Sequence, residues 1–396
     1  MDSENAGLTR SCHVVAVPSP GIGHVNPMMN FCKLPSSRRN DILITFVVTE
    51  KLFGADLASD LPGFVEAVLT RMEDPLQWPL DGLEPPVTSI LADTFLFWAV
   101  GVGNRRNIPV VSFWAMSAAV FSMFHHFDLL VQNCHHPIDV SERGEERLDH
   151  ILGLSATRMA DFSALLHNHN PVLARTYSDF HVRSPSHRRS KINVLIPHPS
   201  HWPCNTFNLG DSSSTATASH DLNYFRWLDF QLSSSVLYIS LGSVLSVSRA
   251  RTKELAAVLR VNGVRFLWVA RGETTQLREM CGEMGLVVPW CDQLKVLSHS
   301  SVGGVMTHCG WNSTVEGIFC GLPFLSFPVE LIKFQTVRQL EEGVETLVTR
   351  EEIAELVRRF MDLETSEIQE ICQRTTVQGE SAKPGIFDKS ACSFKK

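Results

Sequence analysis

Apolar residues arrive along this chain in short dense runs, separated by polar stretches with helical spacing. His13 to Val17, Ile42 to Val48, Val87 to Ala92 and Ile108 to Phe113 each read as buried strands. The segment from about Met28, Phe64 to Met72, Phe95 to Gly101 and Met116 to Gln132 read as helices between and after them. Strand alternating with helix predicts a parallel, doubly wound sheet. Gln132 to His150 is charged and loop-like. Ser178 to Gly210 is rich in His, Arg, Pro and Ser and has no period beyond Ile192 to Ile196. It reads either as a divergent loop or as out-of-frame, mis-spliced sequence. Asp211 to Ser219 is a Ser/Thr-rich linker.

A second alternation opens after the linker. Asp221 to about Leu228 reads as a helix, Val236 to Leu241 as a strand ending at Gly242-Ser243, Ala250 to Leu259 as an amphipathic helix and Phe266 to Ala270 as the next strand. Gly285 to Val288 is a short apolar run ending at Trp290, and Asp292 can cap a short helix through Leu297. Val302 to Thr307 is a buried, glycine-rich strand. It leads into the tight segment His308-Cys309-Gly310-Trp311-Asn312-Ser313-Thr314 and a helix from about Ser313 to Cys320. Gly321 fits a left-handed helix end, Pro323 forbids continuation, and Leu322 to Phe327 reads as a strand. Glu351 to Met361 is a last helix, and Val377 to Lys396 is a polar tail. The expected organisation is a first domain over 1–210 with 178–210 atypical, a linker at 211–220, a second domain over 221–375 and a tail at 376–396.

Composition narrows the function classes. At 396 residues, two or three domains are expected, and 44% hydrophobic content suffices for their cores. With 35 basic against 42 acidic residues the net charge is −7, so nothing draws the chain to nucleic acid or to an anionic membrane. Ten cysteines are scattered with no C-x-x-C pair, which predicts reduced thiols and a cytoplasmic protein. The N-terminus lacks a signal-peptide pattern. The longest mostly apolar stretch, Pro109 to Phe124, is too short to span a bilayer, so no membrane insertion is expected.

The candidate chemistry gathers where strands end. A strand, a Gly-containing turn and a helix start after Thr307 aim backbone N–H groups and a partial positive charge at one spot, which suits an anion. His308, Asn312, Ser313 and Thr314 add side-chain donors, and Trp290 offers a face for a base. Together they suit a nucleoside diphosphate. Each also has a plainer reading: Ser313-x-x-Glu316 is a capping box, Trp290 and Trp311 are core aromatics, and His308 is a satisfied buried histidine. Earlier in the chain, Pro18-Ser-Pro-Gly-Ile-Gly-His24-Val-Asn-Pro27 presents His24 at the carboxyl end of the first strand, where open α/β sheets bind ligands. A dinucleotide fingerprint fails there, because Asn26 stands where the third glycine belongs. His24 is otherwise a surface loop histidine. Asp93 ends a strand and can reach the same place, or can cap the helix that follows. His125-His126 and His135-His136 do not make a metal site, since adjacent histidines diverge on regular structure and no acidic or Cys partner has ligand spacing.

The ordered set Trp290, Gln293, His299, Gly303, His308-Cys309-Gly310-Trp311-Asn312-Ser313, Glu316, Gly321 and Pro323 resembles the signature box of the plant UDP-dependent glycosyltransferases of family 1. The resemblance covers about residues 11–177 and 221–329. It implies the GT-B fold: two Rossmann-like, doubly wound α/β domains facing a cleft, an acceptor-binding one first and a UDP-sugar-binding one second. It implies transfer of a sugar, expected to be glucose, from a UDP-sugar donor to a hydroxyl of a small lipophilic plant metabolite, with inversion. His24, in G-H-x-N-P, becomes the catalytic base, and Asp93, in A-D-x-F, orients it and balances its charge. Ser243, His308, Asn312 and Ser313 meet the diphosphate, Trp290 stacks on uracil, and Gln293 and Glu316 hold the ribose. Cys291, Gly310 and Trp311 belong to the same donor box. No metal or other cofactor is expected, since the UDP-sugar is a co-substrate, and the chain is expected to act as a monomer.

The chain also departs from that pattern. Ile332 and Lys333 stand where the family's box closes with an acidic residue and Gln that grip the sugar. Ile cannot accept a hydroxyl hydrogen bond, and losing such a partner costs about 1–3 kcal/mol. The interval from His24 to Asp93 is short, implying lost material around Glu50 to Gly63, and much of the family's C-terminal portion is absent or altered. A UDP-binding pseudoenzyme without transferase activity is therefore the alternative. An NAD-dependent oxidoreductase is disfavoured by the missing fingerprint.

Overall fold

A computed structural model describes residues 12–49, 61–135, 140–151, 154, 157–161, 193–195, 224–242, 249–270, 274–326, 350–362, 369–371 and 373–374. The chain divides into two compact units. One comprises Met1–Met159 with Leu166–Pro203, and the other Ala160–Leu165 with Cys204–Lys396. The expected linker at 211–220 and the tail at 376–396 lie outside the described residues.

In the first unit, β1 (Cys12–Val17), β2 (Ile42–Phe46), β3 (Ser89–Asp93), β4 (Val110–Phe113) and β5 (Asn193–Leu195) form one parallel sheet in the order β2-β1-β3-β4-β5. Alternate residues of β1 and β3 feed two cores. Val15, Val17, Ile90 and Ala92 pack with Leu76, Leu80 and Trp98. Ala16 and Leu91 pack with Met28, Cys32 and Phe113 on the opposite face. A sheet covered on both sides explains the unbroken apolar runs. The edge strand β2 differs from the fully buried expectation: its residues are mostly half-buried, and Leu43 is 41% exposed. β5 coincides with Ile192 to Ile196, the one part of the Ser178 to Gly210 stretch with a period, and pairs in parallel with β4.

Several helices depart from the expected bounds. α1 (Ile22–Arg38) begins six residues before Met28, so His24 sits in a first turn rather than in a loop. The Gly21 carbonyl already accepts from the His24 and Val25 amides, at 2.8 and 2.9 Å. Pro27 enters a turn already wound; it removes one donor without starting or stopping the helix. After α2 (Leu61–Arg71), α3 (Glu73–Asp81) and α4 (Trp98–Arg106), the single helix expected to Gln132 is two: α5 (Ala118–His125), capped by the Ser117 side chain, and α6 (Phe127–Gln132), with non-helical backbone at His126. A short α7 (Val140–Arg143) lies in the stretch read as loop. Beyond it, His135 Nε2 is held by Glu146 Oε2 at 3.0 Å. Among the described residues no three His, Cys, Asp or Glu side chains converge as metal ligands.

In the second unit, β6 (Val236–Ser240), β7 (Arg265–Val269), β8 (Gly285–Val288), β9 (Val302–Thr307) and β10 (Phe324–Ser326) are again parallel, ordered β10-β9-β6-β7-β8. One face packs Leu237, Ile239, Phe266 and Trp268 against α8 (Arg249–Val261), α9 (Thr274–Cys281) and α12 (Arg350–Met361). The other packs Val236, Tyr238 and Leu267 against the helical residues 224–229 and α10 (Gln293–Leu297). As expected, the Asp292 carboxylate caps α10 by accepting from the Lys295 amide at 3.3 Å. α11 (Trp311–Phe319) ends at Gly321, whose φ of 70° supplies the left-handed turn before Pro323. Among the described residues no helix is long and apolar enough to cross a membrane.

Candidate functional site

Parallel sheets bind ligands beyond the carboxyl ends of their strands, at the point where the strand order reverses. In the first unit that point lies between β1 and β3. His24 follows β1 and Asp93 ends β3. Their side chains meet, His24 Nδ1 to Asp93 Oδ2, at 2.7 Å. The other oxygen, Asp93 Oδ1, accepts from the Phe95 amide at 3.0 Å. Asp93 therefore does both jobs the sequence allowed, closing the turn after β3 and holding the histidine, although helix α4 itself starts only at Trp98. The Asp93 side chain is 1% exposed and that of His24 24%. Burial disfavours the imidazolium, but the charge and hydrogen bond of Asp93 outweigh it and raise the His24 pKa above the ordinary value. An ionised Asp93 fixes the proton on Nδ1 and leaves Nε2 as an acceptor.

Aromatic rings line up beside this pair. Phe95 meets the His24 ring edge-on with centroids 5.8 Å apart, and packs on Trp114 and Phe124. Trp114 meets Phe121, which stacks on His125 at 5.6 Å and 16°. Phe95, Phe121 and His125 are half-buried, so ring surface stays open next to the His24–Asp93 pair.

In the second unit the strand order reverses between β6 and β9. The Gly242 turn follows β6 and His308 follows β9. The His308 Nδ1 donates to the Ser240 carbonyl at 3.5 Å, and burial lowers its pKa, so the ring is neutral at neutral pH. Two glycines hold this ring. Gly242 has a φ of 98°, and a Cβ there would approach His308 to 3.0 Å; at Gly310 a Cβ would come within 2.5 Å of Nε2. The left-handed residue of the turn is Cys309, with a φ of 60°. The glycine at 310 is thus required by close approach and not by its backbone angle.

α11 starts at Trp311, two residues earlier than expected, with Gly310 as an N-cap that makes no side-chain cap bond. Its first-turn amides have no acceptor within the helix, and no acidic residue lies in that turn. The capping-box reading is overturned: Ser313 is already inside the helix, and Glu316 reaches a different partner. Gln293 Nε2 donates to Glu316 Oε2 at 2.7 Å and to Ser313 Oγ at 3.2 Å. Behind them the Tyr238 hydroxyl donates to Gln293 Oε1 at 2.9 Å and lies 3.6 Å from Cys291 Sγ. Glu316 is 6% exposed. Burial, against the Gln293 hydrogen bond and with the nearby Asp292 charge, pushes its pKa up to about 7.

Residues 191–342 match the family described as UDP-glucoronosyl and UDP-glucosyl transferase. UDP-glycosyltransferase 87A1 of Arabidopsis thaliana is 39% identical over 435 residues, covering 96% of this chain and 99% of that protein. This chain is a plant family 1 UDP-glycosyltransferase. UDP-glycosyltransferase 87A2 of the same plant is also 39% identical, over 99% of this chain and 97% of its own. The solved structure of Os79 from O. sativa in complex with U2F and trichothecene matches with a TM-score of 0.69 at 22% identity, over 94% of this chain and 96% of that one. That of Medicago truncatula UGT71G1 complexed with UDP-glucose matches at 0.68 and 20%, over 95% of each. The fold is accordingly GT-B. These relatives are transferases by name, which leaves the pseudoenzyme alternative unsupported. The family match opens at 191, two residues before β5. The 435-position alignment exceeds this 396-residue glycosyltransferase, so its relative holds internal stretches that are missing here.

The structure of the glycosyltransferase brings together His24 with Asp93, and Gln293 with Ser313 and Glu316. It sets His308 against Gly310 at the start of α11, which carries half-buried Trp311, Asn312 and Ser313. Trp290 is half-buried just after β8. Cys291 is 4% exposed with its thiol near Tyr238, so its backbone and not its side chain is what a ligand could reach. Ser243, Ile332 and Lys333 lie outside the described residues. The sequence reading missed Tyr238 and the ring ladder from Phe95 to His125. The available signal was a tyrosine in the middle of a strand buried on both faces, since a buried phenol needs a hydrogen-bond partner.

Proposed function

We propose that this glycosyltransferase moves a sugar, glucose in the first instance, from a UDP-sugar to a hydroxyl of a small lipophilic plant metabolite, with inversion and with His24 as the base. The observation that carries this reading is the 2.7 Å His24–Asp93 pair at the reversal point of the first sheet. His24 Nε2 takes the proton of the acceptor hydroxyl, and Asp93 balances the imidazolium that forms. The freed oxygen bonds to the anomeric carbon from the side opposite UDP. The bond to UDP breaks, and its electron pair leaves on the diphosphate. The amides opening α11, with His308, Asn312, Ser313 and Ser243, meet that charge, so no metal is invoked. Trp290 stacks on uracil, while Gln293 and Glu316 bind the ribose hydroxyls. The half-buried rings of Phe95, Phe121 and His125, backed by buried Trp114 and Phe124, support a lipophilic acceptor, because they offer stacking surface on the ladder that starts beside the base. The seven described cysteines are all free thiols, which fits a cytoplasmic setting.

The test is His24→Ala, assayed with UDP-glucose and a panel of phenolic acceptors. General-base loss is expected to lower turnover by about 10²–10⁴, while UDP affinity measured by calorimetry stays unchanged. Turnover equal to that of the parent protein removes His24 from this role.

A further inference from the structure

The geometry points to Tyr238 as a positioning residue of the nucleoside site, one that fixes which way the Gln293 amide faces and thereby what Glu316 can offer a ribose. This rests on the reading of Gln293 and Glu316 as the ribose-binding pair.

Tyr238 sits at the centre of β6 and is 1% exposed. Its hydroxyl is buried too, and burial raises the phenol pKa well above its ordinary range, so it serves as an O–H donor throughout the working pH range. That O–H ends on Gln293 Oε1 at 2.9 Å. An amide whose oxygen is held this way must aim its NH₂ in the other direction, and there it meets Glu316 Oε2 at 2.7 Å and Ser313 Oγ at 3.2 Å. The Cys291 thiol, 3.6 Å from the phenol oxygen, can extend the chain at its far end. Hydrogen bonds then run in one direction, from thiol through phenol and amide to carboxylate. The amide N–H favours an ionised Glu316, against burial and against Asp292, whose charge faces the same carboxyl and is itself paired with Lys295 at 2.8 Å. Ser313 Oγ also reaches Gln293 Oε1, at 3.4 Å against 2.9 Å for the phenol. The phenol is thus the closer of the two donors that tell oxygen from nitrogen at that end, and without it only the long serine contact does so. A flipped amide would set its oxygen against Glu316 and favour the protonated carboxyl, a poorer acceptor for sugar hydroxyls.

The test compares UDP affinity of Tyr238→Phe with that of the parent by calorimetry from pH 6 to 9. The loss expected at pH 7 is roughly three- to tenfold, the range set by one neutral hydrogen bond. It shrinks toward none as rising pH ionises Glu316 in both proteins, and turnover at saturating UDP-glucose is unchanged. In a Glu316→Gln background the same substitution should give no pH-dependent change. A loss that is constant across pH, or no loss at all, overturns the positioning role. Should Glu316→Gln alone leave UDP affinity untouched, the ribose reading itself falls, and the two failures are told apart by that single control.

Discussion

At the scale of single residues the catalytic proposal turns on one carboxylate with two duties. Asp93 spends one oxygen on the Phe95 amide and the other on His24. Asparagine at this position can keep the first contact and cannot supply the charge. His24 must be neutral to act as a base, so activity rises as pH climbs through its pKa, and Asp93 holds that pKa up. Asp93→Asn should therefore move the acid limb of log kcat/KM to lower pH, while the plateau drops by about 10²–10⁴ as the imidazolium loses its counter-charge. An acid limb that stays in place would show that some other group titrates there. His24 and Asp93 were legible in the sequence because both follow apolar runs, and strand ends converge in a parallel sheet. Tyr238 was not, because its partner Gln293 is 55 positions away and no local pattern joins them.

Elements were legible where both faces of a strand are buried, and less so where a helix begins. β3, β6, β8 and β9 agree with the runs that predict them to within two residues at each end. The start of α1 was obscured by Pro27, which reads as a first-turn residue but stands inside the helix. The start of α11 was obscured by Ser313-x-x-Glu316, a pattern that buried Glu316 satisfies through Gln293 and not through a cap. The break at His126 follows no proline or glycine at all. What holds the helices of the second unit in place is more ordinary. α12 lays Val357 and Phe360 on the core, and Phe360 fits where Gly304 of β9 has no side chain: a Cβ there would meet its ring at 2.4 Å. Phe360→Ala should empty that space and cost about 3–5 kcal/mol in urea unfolding. A loss below about 1 kcal/mol would mean that α12 is peripheral to the core. The Gly304 contact lies four residues before His308, which follows the same strand, so UDP affinity in the absence of denaturant should survive.

Across the whole molecule, the two sheets use different strand orders and place their polar groups by the same rule. The first reads 2-1-3-4-5 and the second, numbered within its own unit, 3-2-1-4-5. Each sets candidate residues at the gap where the order reverses, His24 and Asp93 in the first and the Gly242 turn and His308 in the second. Such placement conflicts with stability when a charge must be buried there. Glu316 is the clearest case, with its pKa raised from 4.5 to about 7. Because the folded pKa lies above the unfolded one, the folded chain binds more protons than the unfolded chain between those values. Stability from this group is thus present below pH 4.5 and lost as pH rises through 7. The shift corresponds to roughly 3 kcal/mol at most. Glu316→Gln keeps the shape and removes the charge. Its stability relative to the parent, from urea unfolding, should be higher at pH 8 than at pH 5 by up to roughly 3 kcal/mol, even as its affinity for UDP falls. An equal difference at the two pH values would mean that the carboxylate is solvated in the folded state and carries no such burden. The predicted outcome, a sturdier protein that holds its donor less well, is what a site selected for binding and not for folding should give.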